Sequence, residues 1–143
     1  MSAKHGQCLC GGVQFSVNGP LREVVYCHCK MCRRSTGHLV AATACAVPHL
    51  DITRADSLRW YQSSATAKRG FCGDCGSNLF WWPASNSHVS ILAGTLDDPT
   101  GVKAVAHIHV AEKGDYYALA DGLTQHLDGS HCVRVPAAPG DLP

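Results

Sequence analysis

The cysteines constrain this chain more than any other residue type. Seven of its nine cysteines lie in three tight clusters, within residues 8–10, 27–32 and 72–75. A structural zinc ion takes four protein ligands, whereas a catalytic zinc ion takes three and keeps one position open. Seven clustered sulfurs therefore predict one closed zinc site and one open zinc site.

Disulfides or a redox-active dithiol could also account for clustered cysteines. Disulfide frameworks are typical of small secreted chains, but residues 1–6 lack the apolar segment that a signal peptide needs. A thioredoxin-like site needs a Cys-x-x-Cys pair beside a βαβ pattern, whereas this chain has two such pairs and no long helical periodicity. Zinc binding in a cytoplasmic protein is the favoured interpretation.

The length and charge of the chain argue against several classes of protein. Its 143 residues suit a single domain, which we expect to cover residues 1–136, followed by a flexible C-terminal tail over residues 137–143. A net charge of +1 is not the strongly basic surface of a nucleic-acid-binding protein. The apolar runs at 39–45 and 89–93 are far shorter than the roughly 20 residues that span a bilayer. We therefore expect neither nucleic acid nor a membrane as a partner, while a homodimer is compatible with the sequence.

Short β-strands dominate the predicted secondary structure. Val13, Phe15 and Val17 alternate with polar residues, which is the period-two pattern of a half-buried strand. One helical turn is predicted between residues 29 and 35, before Gly37. The sequence therefore predicts an all-β fold with little helix. Further strands are expected over residues 24–27, 39–47, 58–61, 68–71, 79–82, 88–93 and 102–110.

The spacing of the cysteines favours one division between the two metals. Three sulfurs within a six-residue segment suit one ion, and the two remaining pairs then close a four-sulfur site. The alternative is a zinc ribbon built from the two Cys-x-x-Cys pairs, but ribbon pairs are usually separated by about 15–20 residues, roughly half of the separation here. The favoured division consists of a three-cysteine cluster, Cys27, Cys29 and Cys32, and a four-cysteine cluster, Cys8, Cys10, Cys72 and Cys75.

The chain resembles the glutathione-dependent formaldehyde-activating enzymes, a family whose domain also occurs in centromere protein V. The resemblance is carried by six segments that run in family order between residue 8 and about residue 127. It departs from the family pattern at Thr124, where proline is common, and at Tyr117, where tryptophan is common; both positions lie away from the cysteines. The matching segments are 8–15, 27–34 with Gly37, 71–77, 94–99, 107–110 and 121–123.

This resemblance implies a fold, two metals and a reaction. The implied fold is the Mss4-like fold, in which twisted antiparallel sheets are held together by zinc. The four-cysteine cluster would hold a structural zinc, and the three-cysteine cluster a more labile, catalytic zinc. The implied reaction joins the thiol of glutathione to formaldehyde through a carbon–sulfur bond, and a carbon–sulfur lyase runs it in reverse. Glutathione would be the thiol co-substrate and a small aldehyde its partner.

Several residues beside the three-cysteine cluster are candidates for further roles. Arg33 and Arg34 follow the cluster directly and could bind a carboxylate of the thiol substrate through paired hydrogen bonds. His28 stands between two cysteines, and because neighbours in an extended segment point to opposite sides, we expect its ring to face away from the metal. His107 and His109 would share one strand face as an i, i+2 pair, with buried packing the favoured role for His107.

Two further cysteines, Cys45 and Cys132, lie outside the clusters. Cys45 lies in an apolar run, which indicates a buried, unreactive thiol, whereas Cys132 has no assigned role.

A non-enzymatic, zinc-stabilised binding module is the alternative to the enzyme, because a fold does not by itself fix a chemistry. The two hypotheses differ in whether the three-cysteine cluster has a fourth protein ligand.

Overall fold

Short β-strands make up most of the protein, and the all-β prediction is confirmed. The structure, a computed structural model, describes residues 3–130 and 134–136. The predicted tail 137–143 and Cys132 lie outside the described residues. The strands are β1 (Lys4–Gln7), β2 (Val13–Val17), β3 (Val24–Cys27), β4 (Val40–Cys45), β5 (Leu50–Ala55), β6 (Leu58–Ser64), β7 (Ala67–Cys72), β8 (Asn78–Pro83), β9 (Val89–Leu92), β10 (Ala104–Ile108) and β11 (Thr124–Gln125).

The strands form two sheets. A three-stranded antiparallel sheet has the order β1-β2-β5, and an eight-stranded sheet has the order β11-β10-β3-β4-β9-β8-β7-β6. Most ladders are antiparallel, as expected from the resemblance, but β10 pairs in parallel with both β3 and β11. Parallel neighbours need a long connection between them, and here the chain completes six other strands between β3 and β10. Sequence alternation alone does not distinguish these two kinds of pairing.

The core follows from the alternation in β2. Val13, Phe15 and Val17 are all buried and face the apolar side chains of β8 and β9. The Phe15 and Phe80 rings meet edge to face, with 5.2 Å between their centroids, which is a favourable geometry for an aromatic pair. This contact joins the smaller sheet to the larger one. Cys45 is fully buried in the same core, as its apolar surroundings predicted, and burial raises the pKa of its thiol to about 12.

One short α-helix interrupts the strands close to the predicted position. Helix α1 spans Lys30–Thr36, and its first turn is capped by the Cys29 sulfur, which accepts a hydrogen bond from the Cys32 backbone N–H. It ends at Gly37, whose φ of 90° is the left-handed conformation that glycine adopts most readily at a helix C-terminus. Three 3-10 turns lie at Val47–His49, Ala93–Thr95 and Val110–Glu112. Within the described ranges, no helix has the length and apolar character needed to cross a bilayer.

The Phe15–Phe80 contact predicts a large difference between two aromatic substitutions. Phe15→Ala should lower the free energy of unfolding by about 3–5 kcal/mol, because it opens a cavity between the two sheets. Tyr61→Ala is the matched control, since this side chain is 64% exposed on the outermost strand β6 and should change stability by less than about 1 kcal/mol. Urea unfolding followed by tryptophan fluorescence measures both. Equal destabilisation by the two changes would contradict this account of the core.

Candidate functional site

The four-cysteine cluster joins two distant turns of the chain. Cys8 and Cys10 follow β1, while Cys72 ends β7 and Cys75 lies in the next turn. Their sulfurs all lie within 4.8 Å of one another, with 3.7 Å between Cys8 and Cys10 and 3.6 Å between Cys10 and Cys72. A tetrahedral zinc with Zn–S bonds of about 2.3 Å requires sulfurs about 3.8 Å apart. The cluster therefore fits a zinc ion.

Neutral hydrogen-bond donors surround the sulfurs of the four-cysteine cluster. Ser57 and Ser77 place their hydroxyl oxygens 3.0 Å from the Cys72 sulfur and 3.2 Å from the Cys75 sulfur, respectively. The Ser77 hydroxyl lowers the pKa of Cys75 to about 5, and the Ser57 hydroxyl lowers that of Cys72. Both hydroxyls therefore favour the thiolate form that binds metal.

The three-cysteine cluster is built where β3 passes into α1. Cys27 ends β3, Cys29 is the N-terminal cap of α1, and Cys32 lies in its first turn. The three sulfurs lie within 4.8 Å of one another, with 3.4 Å between Cys27 and Cys32. Hydrogen bonds with Cys27 and Cys32 lower the pKa of Cys29 to about 2, whereas hydrogen bonds with Cys29 and Cys32, followed by burial, raise the pKa of Cys27. The spacing and the thiol chemistry of this cluster also fit a zinc ion.

The structure brings the cysteines together in the two groups that their spacing favoured. Among the described residues, the second group offers three sulfurs, and no histidine or carboxylate joins it within the same distance. The two Cys-x-x-Cys pairs of the zinc-ribbon alternative contribute to different groups. The structure therefore favours one four-ligand and one three-ligand set.

His28 is fully buried and uses both ring nitrogens away from the cysteines. Its Nδ1 lies 2.6 Å from the Tyr117 hydroxyl, and its Nε2 lies 2.8 Å from Nδ1 of His107. His107 in turn places Nε2 at 2.8 Å from a carboxylate oxygen of Asp121. The nitrogens of this ring therefore bind away from Cys27 and Cys29 on either side of it, as the sequence predicted.

Tyr117, His28, His107 and Asp121 form a chain of hydrogen bonds. When both imidazole rings are neutral, all of these hydrogen bonds point the same way, from Tyr117 to Asp121. The Asp121 carboxylate accepts, so Nε2 of His107 donates and its Nδ1 accepts from Nε2 of His28. The Nδ1 of His28 then accepts from the Tyr117 hydroxyl. Burial, followed by the nearby His107, lowers the pKa of His28 to about 4, which keeps its ring neutral at pH 7. The two ends of this hydrogen-bonded chain, Tyr117 and Asp121, line an open groove of about 510 Å³.

His107 and His109 do not form the pair that their i, i+2 spacing suggested. Strand β10 ends at Ile108, and His109 has a φ of 55° in the left-handed region. Because β10 ends before His109, the side chains no longer alternate there, and the His107 and His109 rings make different contacts. His109 places Nδ1 at 3.6 Å from a carboxylate oxygen of Glu112, whereas His107 belongs to the buried hydrogen-bonded chain.

The arginines around the three-cysteine cluster lie in different environments. Arg33 donates from Nε and Nη2 to the Glu112 backbone carbonyl, at 3.2 and 2.9 Å, while Arg34 is exposed. A third arginine, Arg69 of β7, brings Nη2 to 3.8 Å and Nη1 to 4.0 Å from the Cys32 sulfur. The sequence alone does not point to Arg69, since 37 residues separate it from Cys32 and no local motif marks it.

Comparisons with known proteins identify the family to which this chain is similar. The sequence model of the glutathione-dependent formaldehyde-activating enzyme family matches residues 3–112. An uncharacterized lyase of Schizosaccharomyces pombe is 27% identical over 122 residues, which cover 85% of this chain and 88% of that protein. These two findings support a lyase-type enzyme.

A solved structure is also similar. The crystal structure of a Rhodobacter sphaeroides protein, determined by structural genomics, is 28% identical and superposes with a TM-score of 0.53. The match covers 70% of this chain and 97% of that one. Since the family match extends over well more than half of the residues, the chain belongs to the glutathione-dependent formaldehyde-activating enzyme family.

Proposed function

We propose that the chain is a zinc-dependent carbon–sulfur lyase or synthase acting on the adduct of a thiol with a small aldehyde. Glutathione is the proposed thiol, and formaldehyde or another small aldehyde its partner. The observation that carries this proposal is the three-cysteine cluster, which offers three sulfurs among the described residues. His28, which lies between Cys27 and Cys29 in the sequence and was considered as a fourth ligand, has both nitrogens engaged elsewhere.

The four-cysteine cluster has a structural role in this proposal. It would bind zinc through Cys8, Cys10, Cys72 and Cys75, with every ligand position filled by protein. Cys10 and Cys72 are 62 residues apart, so a metal held between them closes a long loop and restricts the unfolded chain. Its binding free energy would contribute directly to folding.

The three-cysteine cluster has the catalytic role. Cys27, Cys29 and Cys32 would hold zinc on three sides, and Cys29 would at the same time cap helix α1. When bound there, zinc would lower the pKa of a coordinated thiol and keep it as a thiolate near neutral pH. The protein would fix this position through β3 and α1, whose ends carry the three sulfurs.

The reaction balances with a single proton transfer in each direction. In synthesis, the thiol loses its proton and its sulfur attacks the carbonyl carbon. The carbon–sulfur bond forms as the carbon–oxygen π bond breaks, and the oxygen, which receives that electron pair, takes up the proton that the thiol released. Cleavage reverses these events. We assign the binding of a glutathione carboxylate to the Arg33–Arg34 pair, and chiefly to Arg34, because two donors of Arg33 already bind the Glu112 carbonyl.

The proposal also covers the location and partners of the protein. The eight cysteines of the described ranges are free of disulfides, which fits the reducing cytoplasm. The proposed partners are a small thiol and an aldehyde, with no nucleic acid or membrane. The homodimer stays a prediction.

The open coordination position leads to the first functional prediction. A mild chelator should remove zinc from the three-cysteine cluster before the four-cysteine cluster is affected, because the closed site has no vacant position. In cobalt-substituted protein, glutathione should then alter the sulfur-to-metal absorption of one metal per chain. Simultaneous loss of both metals together with a spectrum that ignores glutathione would favour the binding-module alternative.

Cysteine substitutions separate the two proposed roles. Cys75→Ala should leave the protein unfolded or insoluble, because it removes one ligand of the metal that joins two parts of the chain. Cys32→Ala should preserve most of the fold and lose one zinc. Cys45→Ala is the control, since this buried thiol lies outside both clusters and its loss should not change the zinc content. Metal analysis and thermal unfolding measure these effects, and an unchanged zinc content in Cys32→Ala would refute the assignment.

A further inference from the structure

Arg69 lies against the three-cysteine cluster although it comes from a distant strand. Its Nη2 and Nη1 atoms lie 3.8 and 4.0 Å from the Cys32 sulfur. Cys32 is only 7% exposed. Coulomb interaction between charges at this distance is stronger in a partly buried site than in bulk water. The guanidinium is therefore placed to act on the charge of the cluster.

No carboxylate neutralises Arg69 among the described residues. None of their salt bridges includes this guanidinium, and its buried Nε has no hydrogen-bond partner in the same ranges. Removing a cation from water is costly unless an anion compensates for it. The sulfur of Cys32 would be the anion beside this guanidinium once it binds zinc as a thiolate.

Among the described residues, no cationic side chain lies at hydrogen-bond distance from the sulfurs of the four-cysteine cluster. The charge of Arg54 interacts with Cys10 and Cys8, but this guanidinium is already paired with Asp56 at 2.7 Å. The donors to the sulfurs of this cluster are neutral groups, namely the Val13 and Cys75 backbone N–H groups together with the Ser57 and Ser77 hydroxyls. Only the three-cysteine cluster therefore combines an incomplete set of sulfurs with an arginine at hydrogen-bond distance, within the described part of the chain.

The net charge of the zinc-bound three-cysteine cluster would depend on its fourth ligand. Three thiolates and a divalent zinc carry a net charge of −1, and a thiolate arriving as the fourth ligand makes it −2. A neutral fourth ligand, such as water, leaves it at −1. A fixed positive charge beside the cluster consequently favours the thiolate over the neutral ligand.

We propose that Arg69 is the charge-compensating residue that lets the three-cysteine cluster accept a substrate thiolate. This inference rests on the proposed function and adds a specificity residue to it. Arg69 acts through the negative charge on sulfur, and not by binding a carboxylate of glutathione. Its effect should therefore be the same for any thiol that binds as a thiolate, whatever else that thiol carries.

Thiol binding to the zinc-loaded protein tests this role. Calorimetry with glutathione and with 2-mercaptoethanol, which has no carboxylate, should show affinities about tenfold lower in Arg69→Ala for both thiols. Arg69→Lys should recover part of the loss, since it restores the charge without the planar group. Zinc content and the cobalt spectrum without thiol should stay unchanged in both variants, which separates charge compensation from a structural role.

Lys68→Ala is the matched control. It removes the same charge from the adjacent residue of β7, but successive side chains of a strand point to opposite faces. The Lys68 ammonium lies 4.5 Å from the centre of the Trp60 ring, and its loss should leave both thiol affinities unchanged. If Arg69→Ala does not fold, Arg69→Gln, which keeps most of the side-chain length, carries the same expectation.

Three outcomes would overturn the inference. Equal affinities in wild type and Arg69→Ala would show that the charge has no effect, while the proposed function would stand. A loss confined to glutathione would make Arg69 a carboxylate-binding residue. A wild-type protein that binds neither thiol would remove the proposed function and, with it, the thiolate that Arg69 is inferred to stabilise.

Discussion

The meeting of two cysteine pairs from distant turns is the constraint on which the rest of the structure depends. Cys8 and Cys10 extend from the small sheet, while Cys72 and Cys75 lie at the end of β7 in the large sheet. Their convergence fixes one sheet against the other at the edge of the core that contains Phe15 and Phe80. Neither sheet could shift along the other without separating these sulfurs.

Strand β7 connects the four-cysteine cluster to the three-cysteine cluster. Its last residue, Cys72, belongs to the four-cysteine cluster, while Arg69, about 10 Å earlier along the strand, reaches the three-cysteine cluster. Strands β4, β9 and β8 separate β3 from β7 in the sheet, so a side chain of β7 meets the cluster only because α1 lies over these strands. Asn78 of β8 donates to the Ser35 carbonyl at 3.0 Å and holds the helix there.

A buried hydrogen-bonded chain holds the other side of the three-cysteine cluster. His28 lies between two of the cysteines, and its ring is fixed by Tyr117 on one side and His107 on the other. Since the His28 ring is fully buried, losing either partner would leave one of its nitrogens unsatisfied. The segment that contains Tyr117 and Asp121 therefore supports a loop that lies about 90 residues earlier in the sequence. The family match ends before this segment, at residue 112.

Local sequence by itself determined the strand character, the helical turn, the burial of Cys45 and the grouping of Cys27, Cys29 and Cys32. Each of these follows from spacing or alternation within a short segment, because neighbouring residues share one backbone geometry. Tertiary structure alone decided the parallel pairing of β10 with β3, the attachment of Arg33 to the Glu112 carbonyl, and the approach of Arg69 to Cys32. These contacts join residues 37 or more positions apart, and their formation depends on the order of strands in a sheet. The type and spacing of the cysteines predict candidate metal ligands, but only the fold brings the Arg69 guanidinium beside Cys32.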